Sequence, residues 1–169
     1  SLDNLNENSP NLSLYINCQS DKSLKYNCSM TGYKFSIPIN IRYSDLDAQW
    51  HVNHTRFLSF MEQARFEYLM QLDLFDGKSF LDLRVIVADA HVSYIAPIKI
   101  GQNVYVRTKT EKIGTKSILF KYVLDDGTKE LIFAKGEVVS VTYDFRKQKS
   151  VTVPKEWRKK ISDFEGNKF

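Results

Sequence analysis

Cysteine is nearly absent from this 169-residue chain: Cys18 and Cys28 stand ten residues apart, with no second pair and no neighbouring histidine. Ligand count argues against a zinc site there, and two free thiols are expected, with one labile disulfide the minority reading. Seven glycines and four prolines are too few for a loop-dominated fold. No apolar run approaches the roughly 18 residues of a membrane-spanning helix, so no membrane span is expected. The start lacks the basic and apolar segments of a secretory signal, and no arginine precedes Arg42, against a transit peptide. A cytoplasmic location is the expectation. Charge of one sign is missing too: 24 Lys and Arg oppose 20 Asp and Glu, a net of +4. Only Lys155–Lys160 forms a basic run, which a solvated helix end explains, so no nucleic-acid partner is expected.

What remains is an ordinary globular mix, with 43% hydrophobic and 13% aromatic residues. A single domain of this size buries roughly 70% of its unfolded surface, enough for a full core without metals. Residues 1–32, rich in Asn and poor in sustained alternation, read as a partly disordered extension with one short strand near Leu14–Ile16. From Tyr33 to Tyr43 every odd residue is apolar, the period of a half-buried strand, with Pro38 marking an edge or bulge.

The period then changes. Phe57, Met61, Ala64, Tyr68 and Leu72 recur at three- and four-residue steps, which predicts one long helix over 54–72, N-capped by Asn53. Strand-like segments follow at 84–94, 103–113, 117–124 and 131–143. Asp125-Asp126-Gly127 reads as a hairpin turn, Gly136 as a bulge or a close approach, and Pro154 as the start of a short amphipathic helix. One broad-faced helix needs a sheet to wrap it, so the fold expected is α+β: five or six antiparallel strands around one long central helix.

The chemistry concentrates between the first strand and the helix, in Arg42-Tyr43-Ser44-Asp45-Leu46-Asp47-Ala48-Gln49-Trp50-His51-Val52-Asn53-His54. If alternation persists past Tyr43, Asp45 and Asp47 turn inward, and a desolvated carboxylate becomes a competent general base. No acidic side chain occurs from His54 until Glu62, so the positive end of the helix stays open to a developing oxyanion. Base and oxyanion donor together suit acyl transfer. Asp-x-Asp ahead of a helix also serves as turn chemistry and capping, and the pattern alone leaves both readings open.

That stretch, with Phe57-Leu58-Ser59-Phe60-Met61-Glu62-Gln63-Ala64-Arg65, resembles the signature of the 4-hydroxybenzoyl-CoA thioesterase family of hotdog-fold proteins. Tyr94-Ile95-Ala96-Pro97-Ile98-Lys99-Ile100-Gly101 resembles that family's Tyr-x-x-Pro-x-x-x-Gly element, and Ala134-Lys135-Gly136 and Pro154 fit the same template. The likeness runs from about Tyr33 to Ile161, leaving 162–169 as a tail. It implies a hotdog domain and an acyl thioesterase acting on acyl-CoA or acyl-carrier-protein thioesters without metal or organic cofactor. It also implies a homodimer or homotetramer with the site completed between subunits. Asp47 is then the catalytic carboxylate, attacking the carbonyl itself or activating water. His54 supplies the helix-start N–H and a possible side-chain donor.

Trp50, Thr55 and Phe57 are the expected substrate-binding residues. Trp50 stands where the family often has Gly, and His54 where Asn is frequent, which leaves substrate choice open. The remaining polar residues read as structural: His51 orienting the loop, Asp45 a turn or helix-end residue, Glu62 paired with Arg65, and Asp89 a satisfied partner of His91. Lys112 and Lys116 could meet coenzyme A phosphates or simply be soluble surface. A non-catalytic hotdog module that binds acyl chains or acts as a dimeric scaffold is the competing reading, and Asp47 is the feature that disfavours it.

Overall fold

The computed structural model describes residues 32–169. The Asn-rich extension, its short strand and both cysteines lie outside the described residues. The elements are β1 (Phe35–Ile39), α1 (His54–Gln71), β2 (Val85–Tyr94), β3 (Val104–Ile113), β4 (Ser117–Asp125), β5 (Ile132–Asp144), β6 (Lys149–Ser150) and α2 (Lys155–Glu165). The strands form one antiparallel sheet in the order β1-β3-β4-β5-β2, with β6 beside β5. Six strands around one long central helix is the architecture the resemblance implies.

Alternation decides which face of the sheet meets the helix. Val104, Val106, Ile118, Phe120, Tyr122, Leu124, Ala134 and Val138 are buried on the inner face, against Phe57, Phe60, Met61, Ala64, Tyr68 and Leu69 of α1. Gly136 marks the close approach: a Cβ there would lie 2.5 Å from the Met61 side chain, itself fully buried. The outer face carries an ion ladder instead, in which Lys121 bridges Glu111 and Glu137. Glu62 pairs with Arg65 as expected, at 3.8 Å, and buried Arg65 also donates to the Tyr122 hydroxyl at 3.2 Å.

Three sequence expectations change. The first strand ends at Ile39 rather than running to Tyr43, and Tyr43–Asp45 forms a 3-10 turn. The reason is local: the Asp45 carboxylate accepts the Arg42 backbone N–H at 2.9 Å and closes a turn that extended backbone cannot make. Tyr43 is therefore exposed instead of inward-facing. The β4–β5 connection is longer than a tight hairpin, with Asp126 N–H donating to the Leu131 carbonyl and Gly127 at φ 89°. Asp89 and His91 do not pair: both are exposed on β2, opposite Val139 and Glu137.

The terminal helix α2 continues past Ile161 to Glu165, whose carboxylate is buried under the sheet's end. Glu165 accepts the Tyr68 hydroxyl at 2.7 Å and the Thr110 backbone N–H at 2.8 Å. β1 stops pairing at Thr108, which leaves that Thr110 amide for a side chain to satisfy. Burial first, then the Glu165 charge, push the Tyr68 phenol above its ordinary pKa, while its bond to Thr110 pulls the other way. Glu165→Ala removes a charged acceptor shared by two buried donors. It is expected to lower unfolding free energy by about 2–3 kcal/mol, read from the denaturant midpoint at unchanged slope.

Candidate active site

The helix start is built by Asn53. Its side-chain Oδ1 accepts the Thr55 backbone N–H at 3.0 Å and the Thr55 hydroxyl at 2.9 Å, and its carbonyl accepts the Arg56 N–H at 2.9 Å. The N-cap expectation holds, and it has a consequence for the remaining amide. His54 N–H makes no hydrogen bond among the described residues, at a first turn that contains no acidic side chain. An unpaired N–H at the positive end of an 18-residue helix is a ready anion donor.

Residues 46–52 form a closed loop beside that end. Leu46 bridges Val52, His51 bridges Lys99, and the Val52 N–H donates to the Ile98 carbonyl at 2.8 Å. The segment after β2, where Pro97 follows Tyr94-Ile95-Ala96, thus holds the loop from outside. Asp47 is half-buried in it. Its Oδ1 accepts the backbone N–H groups of Gln49 at 2.8 Å and His51 at 3.3 Å, while Oδ2 makes no hydrogen bond among the described residues. His51 serves the loop through its backbone, its carbonyl accepting the Asp47 N–H at 2.8 Å.

Trp50 occupies the loop tip at φ 61°, the left-handed region glycine favours; it is 65% exposed, and its ring stands edge-on to Tyr43 at 6.3 Å. Its backbone conformation is one that glycine adopts without steric cost, in keeping with the Gly that the family resemblance places here. His54 and Thr55 are exposed, and Phe57 is buried beneath them. Asp45 is the more deeply buried carboxylate of the pair. Burial raises its pKa, but bonds from Arg42 and the charges of Arg42 and Arg56 outweigh this and hold it below the usual range.

Residue type alone does not single out Tyr94. At the end of β2 its hydroxyl donates to the His54 carbonyl at 3.1 Å, and its ring stands edge-on to Phe57 at 5.1 Å and to His54 at 6.3 Å. Half exposed, it stands against the helix start. The signal available in the sequence is its place at the head of the Tyr-x-x-Pro element. Lys116, by contrast, lies at the β3–β4 turn and donates to Ser150, at the end of β3 remote from the loop. Among the described residues no three His, Cys, Asp or Glu side chains converge as a metal site requires.

The arrangement offers a carboxylate oxygen, an unpaired helix-start amide and an aromatic surround of Trp50, Phe57 and Tyr94. A family model described as the thioesterase-like superfamily matches residues 41–161. The chain is 34% identical over 125 residues to the acyl-CoA thioesterase YbgC of Haemophilus influenzae, across 72% of this chain and 90% of that one. It is 24% identical over 123 residues to the long-chain acyl-CoA thioesterase FadM of Escherichia coli, across 73% and 93%. A thioesterase from Thermus thermophilus, solved with coenzyme A and Zn, superposes with a TM-score of 0.72 at 28% identity, covering 83% of this chain and 100% of that one.

Trp50→Gly removes left-handed strain worth about 1–2 kcal/mol per L-residue, partly offset by glycine's greater unfolded-state entropy. Thermal unfolding should show a small gain in melting temperature, about 2–4 °C; a fall would assign the indole a packing role that its exposure does not suggest.

Proposed function

Because this chain belongs to the thioesterase-like superfamily, we propose that it hydrolyses acyl-CoA thioesters, with Asp47 and the His54 backbone N–H as the reacting pair. The observation that carries the reading is the free His54 amide at a helix start joined to the Asp47 loop, whose carboxylate keeps one unengaged oxygen. A catalytic role needs both to be unspent, whereas a capping aspartate would use its oxygens on the helix itself.

In this scheme the thioester carbonyl oxygen accepts the His54 N–H, and the helix end stabilises the charge that gathers there. Asp47 Oδ2 takes a proton from water as its oxygen attacks the carbonyl carbon. The tetrahedral oxyanion then reforms the carbonyl, the carbon–sulfur bond breaks, and the thiolate leaves with a proton returned from the Asp47 carboxyl. The His54 imidazole, exposed beside Tyr94, is placed to donate to substrate oxygen or sulfur. Trp50, Thr55, Phe57 and Tyr94 line the approach. Acyl-carrier-protein thioesters share this reacting group and belong to the same proposal, as does a cytoplasmic location; no helix among the described residues is long and apolar enough to cross a membrane.

A second copy of the chain is part of the reading. β2 is a ten-residue edge strand with Ile86, Val87 and Tyr94 exposed, and such an edge seeks a pairing partner. Asp47, Trp50 and His54 line neither of two surface concavities of about 410 and 370 Å³. The site is open in one chain, and a homodimer or homotetramer through β2 would enclose it.

Asp47→Asn keeps the loop acceptor at Oδ1 but removes the base. It should lower kcat on acyl-CoAs by about 10²–10⁴-fold, measured by thiol release across a panel of chain lengths. Unchanged hydrolysis would remove Asp47 from the chemistry; absence of turnover by the parent protein on every CoA and carrier-protein thioester would favour an acyl-binding module.

A further inference from the structure

Asp47 makes no bond to α1. Its hydrogen bonds all run within the loop, to Gln49 N–H, His51 N–H and carbonyl, and Trp50 N–H. The spacing between its carboxylate and the His54 amide is therefore set by whatever joins the loop's stem to the helix.

Four links do this. The Asn53 N–H donates to the Asp45 carbonyl at 2.8 Å, Leu46 bridges Val52, and the Asp45 carboxylate meets Arg56 of the helix's first turn at 3.4 Å. Asp45 Oδ2 accepts the Arg42 backbone N–H and Nε, at 2.9 and 3.3 Å, and Oδ1 accepts Arg42 Nη2 at 3.2 Å. Arg56 also donates to the Ser44 carbonyl at 3.1 Å. One carboxylate thus joins the end of the β1 segment, the loop stem and the helix start.

The Asp45 side chain is wholly inaccessible to solvent, whereas Arg42 is mostly exposed. A buried carboxylate costs several kcal/mol unless it is paired and hydrogen-bonded, and an exposed turn would need no such group. Asp45 cannot touch substrate from that position.

We propose that Asp45 is a positioning residue for thioester hydrolysis: through Arg56 it fixes the Asp47 loop against the helix start that carries the His54 amide. This rests on the reading of Asp47 and His54 as the reacting pair. Misplacement of a reacting group by about 1 Å can cost on the order of 10²-fold in rate, and of the four links the Asp45–Arg56 contact is the one made between two side chains.

The test compares Asp45→Asn, Arg56→Gln, Arg56→Lys, Asp45→Asn/Arg56→Gln and Asp47→Asn in steady-state kinetics on one acyl-CoA, at a temperature where circular dichroism shows each protein folded. Asp45→Asn and Arg56→Gln should each lower kcat by about 10–100-fold with KM within about threefold of the parent. The double variant should be no worse than the poorer single one, and Arg56→Lys should recover part of the loss. A merely stabilising Asp45 would shift the melting temperature and leave kcat of the folded enzyme unchanged. That result, with Asp47→Asn inactive, overturns the proposal. Should Asp45→Asn not fold, an unchanged kcat in Arg56→Gln overturns the proposal in the same way, because Arg56 is partly exposed and that variant removes both of its links to the loop stem. Full activity in Asp47→Asn would instead overturn the reading of the site on which the proposal rests.

Discussion

A single unspent backbone amide organises this molecule. Asn53 satisfies two of the first-turn donors of α1 with its side chain and its carbonyl, leaving His54 N–H unpaired. The rest of the fold keeps that amide where a substrate could reach it. The sheet buries the remainder of α1 along one face, Tyr94 holds the His54 carbonyl from β2, and the Asp45–Arg56 contact ties the loop to the first turn. In the proposed chemistry that amide is the oxyanion donor, fixed before charge develops, and these constraints would then bear on rate as well as on stability.

Stability and the proposed chemistry are divided along the helix. Its C-terminal half is anchored by polar contacts under the core, with Arg65 on Tyr122 and Tyr68 on Glu165, and burial pushes the Tyr122 phenol up to about 12. Its N-terminal turn is held nearer the surface, by Tyr94 on the His54 carbonyl and by partly exposed Arg56 on Asp45 and the Ser44 carbonyl. The edge strand β2 belongs to the open half: it carries Tyr94 at the helix start and exposes apolar side chains that the proposed second copy would cover.

The elements with a strong period were legible before any coordinates. The 3.6-residue repeat from Phe57 to Leu72 and the two-residue alternation of β3, β4 and β5 are set by one buried face each, and their bounds moved by a residue or two. What failed were inferences across a change of element. Alternation extended past Ile39 assigned Asp45 and Asp47 the same inward environment, but the 3-10 turn that Asp45 itself closes separates them, burying one fully and leaving the other half-buried. Spacing alone served side-chain pairs unevenly. Glu62 and Arg65 do meet, one helical turn apart, but the Tyr122 hydroxyl from a distant strand is the nearer partner of Arg65. Asp89 and His91 share a strand face without pairing, because i, i+2 spacing permits contact without supplying a reason for it. Tyr94 escapes a reading of the sequence since its role depends on β2 ending beside α1, a tertiary fact. The left-handed backbone at Trp50 has no mark in the residue itself; only the Gly implied there by the family resemblance hinted at it.

The most direct measurement is a crystal structure of the assembled protein with a non-hydrolysable acyl-CoA analogue that keeps a carbonyl and replaces the sulfur. The carbonyl oxygen is expected within about 3 Å of the His54 backbone nitrogen, with Asp47 Oδ2 facing the carbonyl carbon directly or through one water. A carbonyl bound elsewhere, with the His54 amide solvated and Asp47 turned to bulk water, would contradict the assignment of this pair.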